Sequence, residues 1–122
     1  MKKLFSMILV ICSLLSGNAY ALTNKAFLQY KKSTELEQKE VKDMLNAYVL
    51  GAANSYLAAN AKLQLKGENK LYCQPGDLSL NLDNFLVFIE EQLIIEKKNN
   101  TYIAEMPLAL TLLRRLIKVF PC

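Results

Sequence analysis

Histidine and tryptophan are both absent from the 122 residues of this sequence. Without histidine, Ser-His and Cys-His catalytic pairs and histidine-based metal sites are excluded. The four glycines are scattered, so the glycine-rich loop that cradles a phosphate is also absent. The remaining classes are binding proteins. We therefore predict that the protein is not an enzyme and uses no cofactor and no metal ion.

Carboxylates cluster at only two places, Glu90-Glu91 and the group Glu35, Glu37 and Glu40. Both clusters fall in segments with a helical pattern, where adjacent side chains point to different parts of the surface. We interpret them as solvated charges rather than as a general acid and base.

The net charge of the chain does not identify a class of binding partner. Fifteen Lys and Arg against eleven Asp and Glu give a net charge of +4, which falls to +2 without the lysines at positions 2 and 3. A charge this small does not indicate a nucleic acid or membrane partner. The basic pairs Lys97-Lys98 and Arg114-Arg115 are interpreted as solvated charges.

The N-terminus has the three parts of a secretory signal peptide. Lys2-Lys3 precedes an almost unbroken apolar run at residues 4–15, and Ala19-Tyr20-Ala21 is a small-x-small cleavage site. The apolar run is too short for a membrane anchor, because a bilayer core needs roughly 20 residues. We predict a signal peptide at residues 1–21, cleaved near Ala21, and one domain at residues 22–122.

Only three cysteines occur, and Cys12 should leave with the signal peptide. A remaining pair in a secreted domain without histidine indicates a disulfide rather than a metal site. We therefore predict a bond between Cys73 and Cys122. We expect this bond to tie down the end of the chain, because free termini fray.

The longest helical pattern predicts a helix over about residues 35–66, with a capping box at Thr34 and Glu37 and a left-handed residue at Gly67 after its end. Gly51 marks either a bend or, as we expect, the close approach of a second helix. The apolar positions recur at spacings of three and four. They are Val41, Leu45, Tyr48, Ala52, Tyr56, Ala59 and Leu63.

Two shorter helices follow. The first is predicted to begin at an N-cap Ser79, with Asp83 in its first turn, and the second near Pro107, which suits a first helical turn. The first has an apolar stripe at Leu82, Phe85, Leu86, Ile89 and Leu93, widened by Leu80, Phe88, Ile94 and Ile95. The buried face of the second contains Leu108, Leu112, Leu113, Leu116, Ile117 and Phe120.

The expected fold class is all-α: a small helical domain of three main helices with one disulfide. The second and third helices must pack antiparallel for Cys122 to reach the loop of Cys73. Residues 96–101 are polar and are predicted to be the most exposed loop. Residues 22–32 leave two alternatives open, a poorly ordered arm or an arm whose Phe27, Leu28 and Tyr30 pack onto the domain.

Five short segments carry a resemblance to a known family. They are residues 46–53 (NAYVLGAA), Cys73-Gln74-Pro75, Leu78-Ser79, Met106-Pro107-Leu108 and Phe120-Pro121-Cys122. In this pattern the chain resembles the Tai family of type VI secretion amidase immunity proteins. It departs from the family at Ala47 and Leu108, lacks the additional upstream cysteine of many members, and has a longer stretch at residues 96–105.

The resemblance implies a periplasmic helical protein, often a homodimer, that binds a cell-wall-cleaving amidase effector and blocks its active-site cleft. The alternatives are a periplasmic stress chaperone and a secreted interaction module of another kind. Surplus apolar residues of the first two helices are the candidate dimer interface.

The candidate partner-binding residues lie in the exposed polar loop, which also contains Tyr102 and Ile103. An aromatic and an apolar residue flanked by polar ones are suited to insert into the partner's cleft as an anchor. The alternative is an ordinary connection with Tyr102 packed on the core. The candidate residues are Lys97, Lys98, Asn99, Asn100, Thr101, Tyr102 and Ile103.

Overall fold

The computed structural model describes residues 22–32 and 35–122, without the side chains of residues 35–38. The predictions of an all-α fold and of a disulfide are confirmed, but the described part contains four helices rather than three. They are α1 (Asn24–Lys31), α2 (Glu35–Leu65), α3 (Leu82–Lys98) and α4 (Leu108–Val119). The predicted signal peptide with Cys12, and the predicted capping box at Thr34 and Glu37, lie outside the described residues.

The additional helix, α1, lies in the segment for which the sequence left two alternatives. Thr23 is its N-cap, and the Thr23 hydroxyl oxygen accepts a hydrogen bond from the Ala26 N–H at 3.2 Å. Phe27 is only 1% exposed, and Leu28 and Tyr30 pack against the core. The second alternative, an arm packed onto the domain, is therefore the one observed.

The end of α2 agrees with the prediction. Gly67 has a φ of 70°, and its N–H donates to the Gln64 carbonyl at 3.1 Å, while the Glu68 N–H donates to the Leu63 carbonyl at 2.9 Å. This pair of bonds is the Schellman motif, which satisfies carbonyls left free at a helix end. Glycine fits there because it adopts positive φ without a steric cost.

Three positions predicted as buried lie at the surface instead. Val41, Ile94 and Ile117 are 36%, 66% and 43% exposed. Within this chain no second helix approaches Gly51 closely, since a Cβ added there would meet nothing within 4 Å. Each apolar pattern is wider than the surface that neighbouring helices of this chain cover.

The start of α3 differs from the prediction by two residues. Asn81, not Ser79, is the N-cap: the Asn81 side chain accepts from the Asn84 N–H, and the Asn84 side chain accepts from the Asn81 N–H, both at 3.0 Å. These reciprocal bonds satisfy two backbone donors, whereas a serine hydroxyl alone would satisfy one. Asp83 lies in the first turn as predicted.

The helices α3 and α4 pack antiparallel, as the disulfide requires. Phe120 after α4 contacts Phe88 near the start of α3, with ring centroids 6.2 Å apart. The Cα atoms of Cys73 and Cys122 are 4.9 Å apart, and the Cys73 N–H donates to the Phe120 carbonyl at 2.8 Å. The C-terminal end of α4 is thus joined to the loop before α3 by a covalent bond and a hydrogen bond.

One cluster of buried side chains from all four helices and the Cys73 loop forms the core. Its members are Phe27, Leu45, Val49, Ala53, Tyr72, Phe85, Ile89, Leu93, Leu108, Leu112 and Leu116. Within the described ranges, none of the helices is both long enough and apolar enough to cross a membrane.

Candidate partner-binding surface

The predicted binding segment, residues 97–103, begins in the last turn of α3 and continues into the connection to α4. Six of its seven residues are exposed, and Ile103 is 53% exposed. Tyr102 is the exception: it is partly buried and packs against the core, with the Lys97 ammonium 5.1 Å from its ring centroid. Ile103 is therefore exposed to solvent, while the packing of Tyr102 against the core holds the segment in place.

The turn after α3 has the same geometry as the turn after α2. Asn100 has a φ of 56°, the Asn100 N–H donates to the Lys97 carbonyl at 3.3 Å, and the Thr101 N–H donates to the Glu96 carbonyl at 2.8 Å. Asparagine is the residue after glycine that most often takes this left-handed position. The dipeptide Asn99-Asn100 was the sequence signal for this turn, and the prediction did not use it.

Asn24 of α1 joins three parts of the molecule and is fully buried. Its side-chain N–H donates to the Ile103 carbonyl at 3.0 Å, its side-chain oxygen accepts from the Thr111 hydroxyl at 2.6 Å, and its backbone N–H donates to the Met106 carbonyl at 3.0 Å. The Lys25 N–H donates to the Ala104 carbonyl at 3.0 Å. The N-terminal arm therefore fixes the connection just beyond the predicted binding segment.

Glu96 is a further site that the sequence did not reveal. Predicted to begin an exposed loop, it belongs to α3 and is 1% exposed. Its Oε1 accepts from Gln92 Nε2 and lies 2.9 Å from Arg114 Nη1 of α4, which also contacts the Met106 sulfur at 3.7 Å. A buried carboxylate needs such a charged partner. The result is a bridge between α3, α4 and the connection.

The charges interpreted as solvated also form pairs. Arg115 binds Glu91 at 2.6 Å, and Lys31 of α1 pairs with Glu90 of α3. Adjacent carboxylates on α3 thus point to different neighbours, one to α4 and one to α1. This arrangement agrees with a structural role, because each carboxylate is paired with its own basic residue.

A second surface lies along α2, where a groove of about 480 Å³ is bordered by α4. Its lining consists of Ala47, Tyr48, Gly51, Ala52, Ser55, Tyr56 and Ala109. The Tyr56 hydroxyl donates to the Ala109 carbonyl at 2.6 Å and so closes one side of the groove. Burial, followed by the neighbouring Tyr48 and Tyr72, raises the pKa of Tyr56, so this hydroxyl keeps its proton at ordinary pH.

Within the described residues, no group of three or more Cys, Asp or Glu side chains is arranged to hold a metal ion. Comparisons with models of protein families, with curated proteins and with solved structures found no match to this chain.

Proposed function

We propose that this chain is a periplasmic immunity protein that binds and inhibits a type VI secretion peptidoglycan amidase and so protects the cell from self or sibling intoxication. The proposal includes secretion through the signal peptide at residues 1–21 and a binding role without catalysis. Its sequence support is the resemblance to the Tai family. The bond between Cys73 and Cys122 adds support, because it joins the two most specific segments of that resemblance.

The observation that carries the proposal is the bracing of the predicted binding segment. Hydrogen bonds from Thr101 to Glu96 and from Asn24 to Ile103 hold its two ends, and Tyr102 packs against the core between them. A loop already held in one conformation loses little entropy on binding. Ile103 at its C-terminal end is the exposed side chain that we place in the amidase cleft, as an apolar anchor.

Inhibition of a type VI secretion peptidoglycan amidase tests the proposal, and an amidase gene beside this one would identify the enzyme to use. The Ile103→Ala variant should inhibit at least about tenfold more weakly, as expected for an anchor residue, whereas Ile117→Ala on α4 should inhibit like the wild type. Ile117 is a matched control because it is 43% exposed against 53% for Ile103. Equal inhibition by Ile103→Ala and the wild type would rule out this loop, and no inhibition by the wild type would rule out the function.

A cellular experiment addresses the alternative function. Deleting the gene should make cells lyse when the amidase reaches their periplasm, and a plasmid copy should restore protection. If deletion leaves the cells resistant while the purified protein prevents aggregation of unfolded periplasmic proteins, the stress-chaperone alternative is correct instead.

We further propose that the protein forms a homodimer through the groove on α2. Ala47, Gly51 and Ser55 are spaced by four residues and line the groove floor, while Met44 on the same side of α2 is 57% exposed. Each copy therefore supplies both a groove and an apolar side chain that fits into the other copy, as a twofold interface requires.

Light scattering of Gly51→Glu tests the dimer. A Cβ at Gly51 meets nothing within 4 Å, so the variant should fold normally but place a carboxylate in the interface. We expect a dimeric wild type and a monomeric variant at micromolar concentration. A monomeric wild type would contradict the proposal.

A further inference from the structure

We infer that a pocket between α1 and α3 seats one apolar side chain of the partner polypeptide, with a carboxylate beside that side chain. The inference rests on the proposed binding function and adds a second contact to the one at Ile103. The pocket has a volume of about 150 Å³ and is lined by residues of both helices.

The inner part of the pocket is apolar. Phe27 and Leu93 are 1% and 2% exposed and contribute to the core, while Leu28 and Ile94 complete the apolar lining. Ile94 is 66% exposed, the second largest exposure among the large apolar side chains described. A cavity of about 150 Å³ with such a lining binds a group the size of benzene. It therefore fits the ring of Phe or the end of Leu.

The charges lining the pocket select the occupant. Lys31, Glu90 and Lys97 contribute the charged lining, and Glu90 is paired with Lys31. The Lys97 ammonium lies over the Tyr102 ring, and no described carboxylate is within ion-pair distance of it. One positive charge is thus left over, next to an apolar pocket, which favours an apolar group that carries a negative charge.

The position of the pocket relates it to the predicted binding segment. Lys97 lines the pocket and is also the first residue of that segment. A partner that covers the whole segment therefore also reaches the edge of the pocket at Lys97. A second copy of this chain is less favoured as the occupant, because the pocket lies on α1 and α3 whereas the small-residue groove lies on α2 and α4.

Nuclear magnetic resonance titration tests the pocket without the amidase. We would add N-acetylphenylalanine, which has a ring and a carboxylate, to the ¹⁵N-labelled protein produced in the periplasm from the full chain. Its neutral amide serves as the matched probe. We expect shifts at the amides of residues 27–31 and 93–97, with the carboxylate form binding about two- to fivefold more tightly, as one exposed ion pair allows. The Lys97→Gln variant should bind both probes equally.

The variant Ile94→Asp should abolish these shifts, because it removes an apolar wall and places a negative charge at the pocket. Val87→Asp is the control, since Val87 is 49% exposed on the same side of α3, two turns away from Ile94 and outside the pocket. No shift with either probe, or equal loss in Val87→Asp, would overturn the pocket.

Binding to the amidase then separates the two proposals. A wild type that binds the amidase while Ile94→Asp and Lys97→Glu bind equally well would leave the immunity function intact and overturn the role of the pocket. A wild type that shows the probe shifts but does not bind the amidase would overturn the immunity function and keep the pocket. We expect weaker amidase binding by both variants and unchanged binding by Val87→Asp.

Discussion

Ion pairs and an aromatic contact join α3 to α4, whereas the groove on the outer face of α2 is exposed to solvent. Between α3 and α4 lie the Arg115–Glu91 pair, the Arg114–Glu96 pair and the contact of Phe120 with Phe88. Along α2, the small side chains of the groove stay partly or fully exposed. In the first region these pairs are made within the chain, although Gln92 Oε1 and Glu96 Oε2 are buried without a hydrogen-bond partner. The second region is a surface that another chain can cover while these contacts between α3 and α4 stay in place.

Removing the disulfide should have the largest effect on stability. The bond spans 49 positions and closes a loop that the chain-entropy relation values at about 4 kcal/mol. We expect Cys122→Ser to lower the melting temperature by roughly 15 °C or more, because the loss is a large share of the stability of a domain of this size. Circular dichroism on heating measures it.

The Cys73→Ser/Cys122→Ser double variant is the control for the free thiol that the single change leaves. It should melt at the same temperature as Cys122→Ser. An unchanged melt in both variants would show that the α3–α4 pair is held without the bond.

Asn24→Ala should have the next largest effect. It removes two side-chain hydrogen bonds. The Thr111 hydroxyl and the Ile103 carbonyl, which lie in or near the core, then lack their hydrogen-bond partner. Such losses cost about 1 to 3 kcal/mol each, and the bond to Ile103 is only part-buried, so we expect the lower part of the summed range, about 2 to 4 kcal/mol, in urea unfolding. Hydrogen exchange of residues 103–106 should accelerate as well. The exposed Asn54→Ala on α2 is the control, and equal effects of the two changes would show that Asn24 does not brace the connection.

The sequence was most informative where the decisive contacts are local. Gly67 was predicted from its position after an apolar pattern, and the two hydrogen bonds of this helix end, donated by Gly67 and Glu68, reach back only three and five residues. The pairing of Cys73 with Cys122 followed from having two cysteines left in a domain that we predict to be secreted. Both inferences needed only composition or short spacing.

Contacts between distant residues were not predictable in the same way. The side-chain partners of Asn24 lie 79 and 87 positions away, and nothing in a short mixed segment distinguishes it from an exposed asparagine. Glu96 was assigned to an exposed loop because polar residues follow it, but the charge of Arg114 across the helix pair makes its burial possible. Exposed Ile94 shows the reverse error, since periodicity does not say whether a neighbouring helix extends far enough to cover a residue.

Tyr56→Phe should produce a smaller loss that depends on pH. The change removes the hydrogen bond from α2 to the Ala109 carbonyl of α4, which is worth about 1 kcal/mol. Because burial raises the pKa of Tyr56, the folded protein holds the phenol proton more tightly than the unfolded chain does. This contribution is complete below the unfolded pKa of about 10 and is lost as the pH rises through the folded value.

Urea unfolding at pH 8 and pH 11 separates these effects. The wild type should lose stability between the two values, and Tyr56→Phe should lose less, although burial also raises the pKa of Tyr72 and leaves part of the fall in place. Tyr102→Phe, which removes a phenol outside the contact between Tyr56 and Ala109, is the control. A fall of equal size in the Tyr56→Phe variant would show that its phenol is not protected by the α2–α4 contact.

Gly51→Ala should have the smallest effect on stability. The effect should be an increase, which distinguishes the open groove on α2 from the contact between α3 and α4. Alanine in a helix interior is favoured over glycine by about 1 kcal/mol, and the added methyl group meets nothing within 4 Å in the single chain. The monomer should therefore become more stable by about that amount, measured by urea unfolding at a concentration below dimer formation. The reverse change at the exposed Ala58, Ala58→Gly, should cost a similar amount.

At concentrations where the dimer forms, the methyl group added by Gly51→Ala lies in the proposed interface. The gain in stability should therefore shrink or reverse if a second copy packs closely on α2. A gain of equal size at both concentrations would mean that the groove stays open, and the difference between the two regions would then be one of exposure and not of partnership.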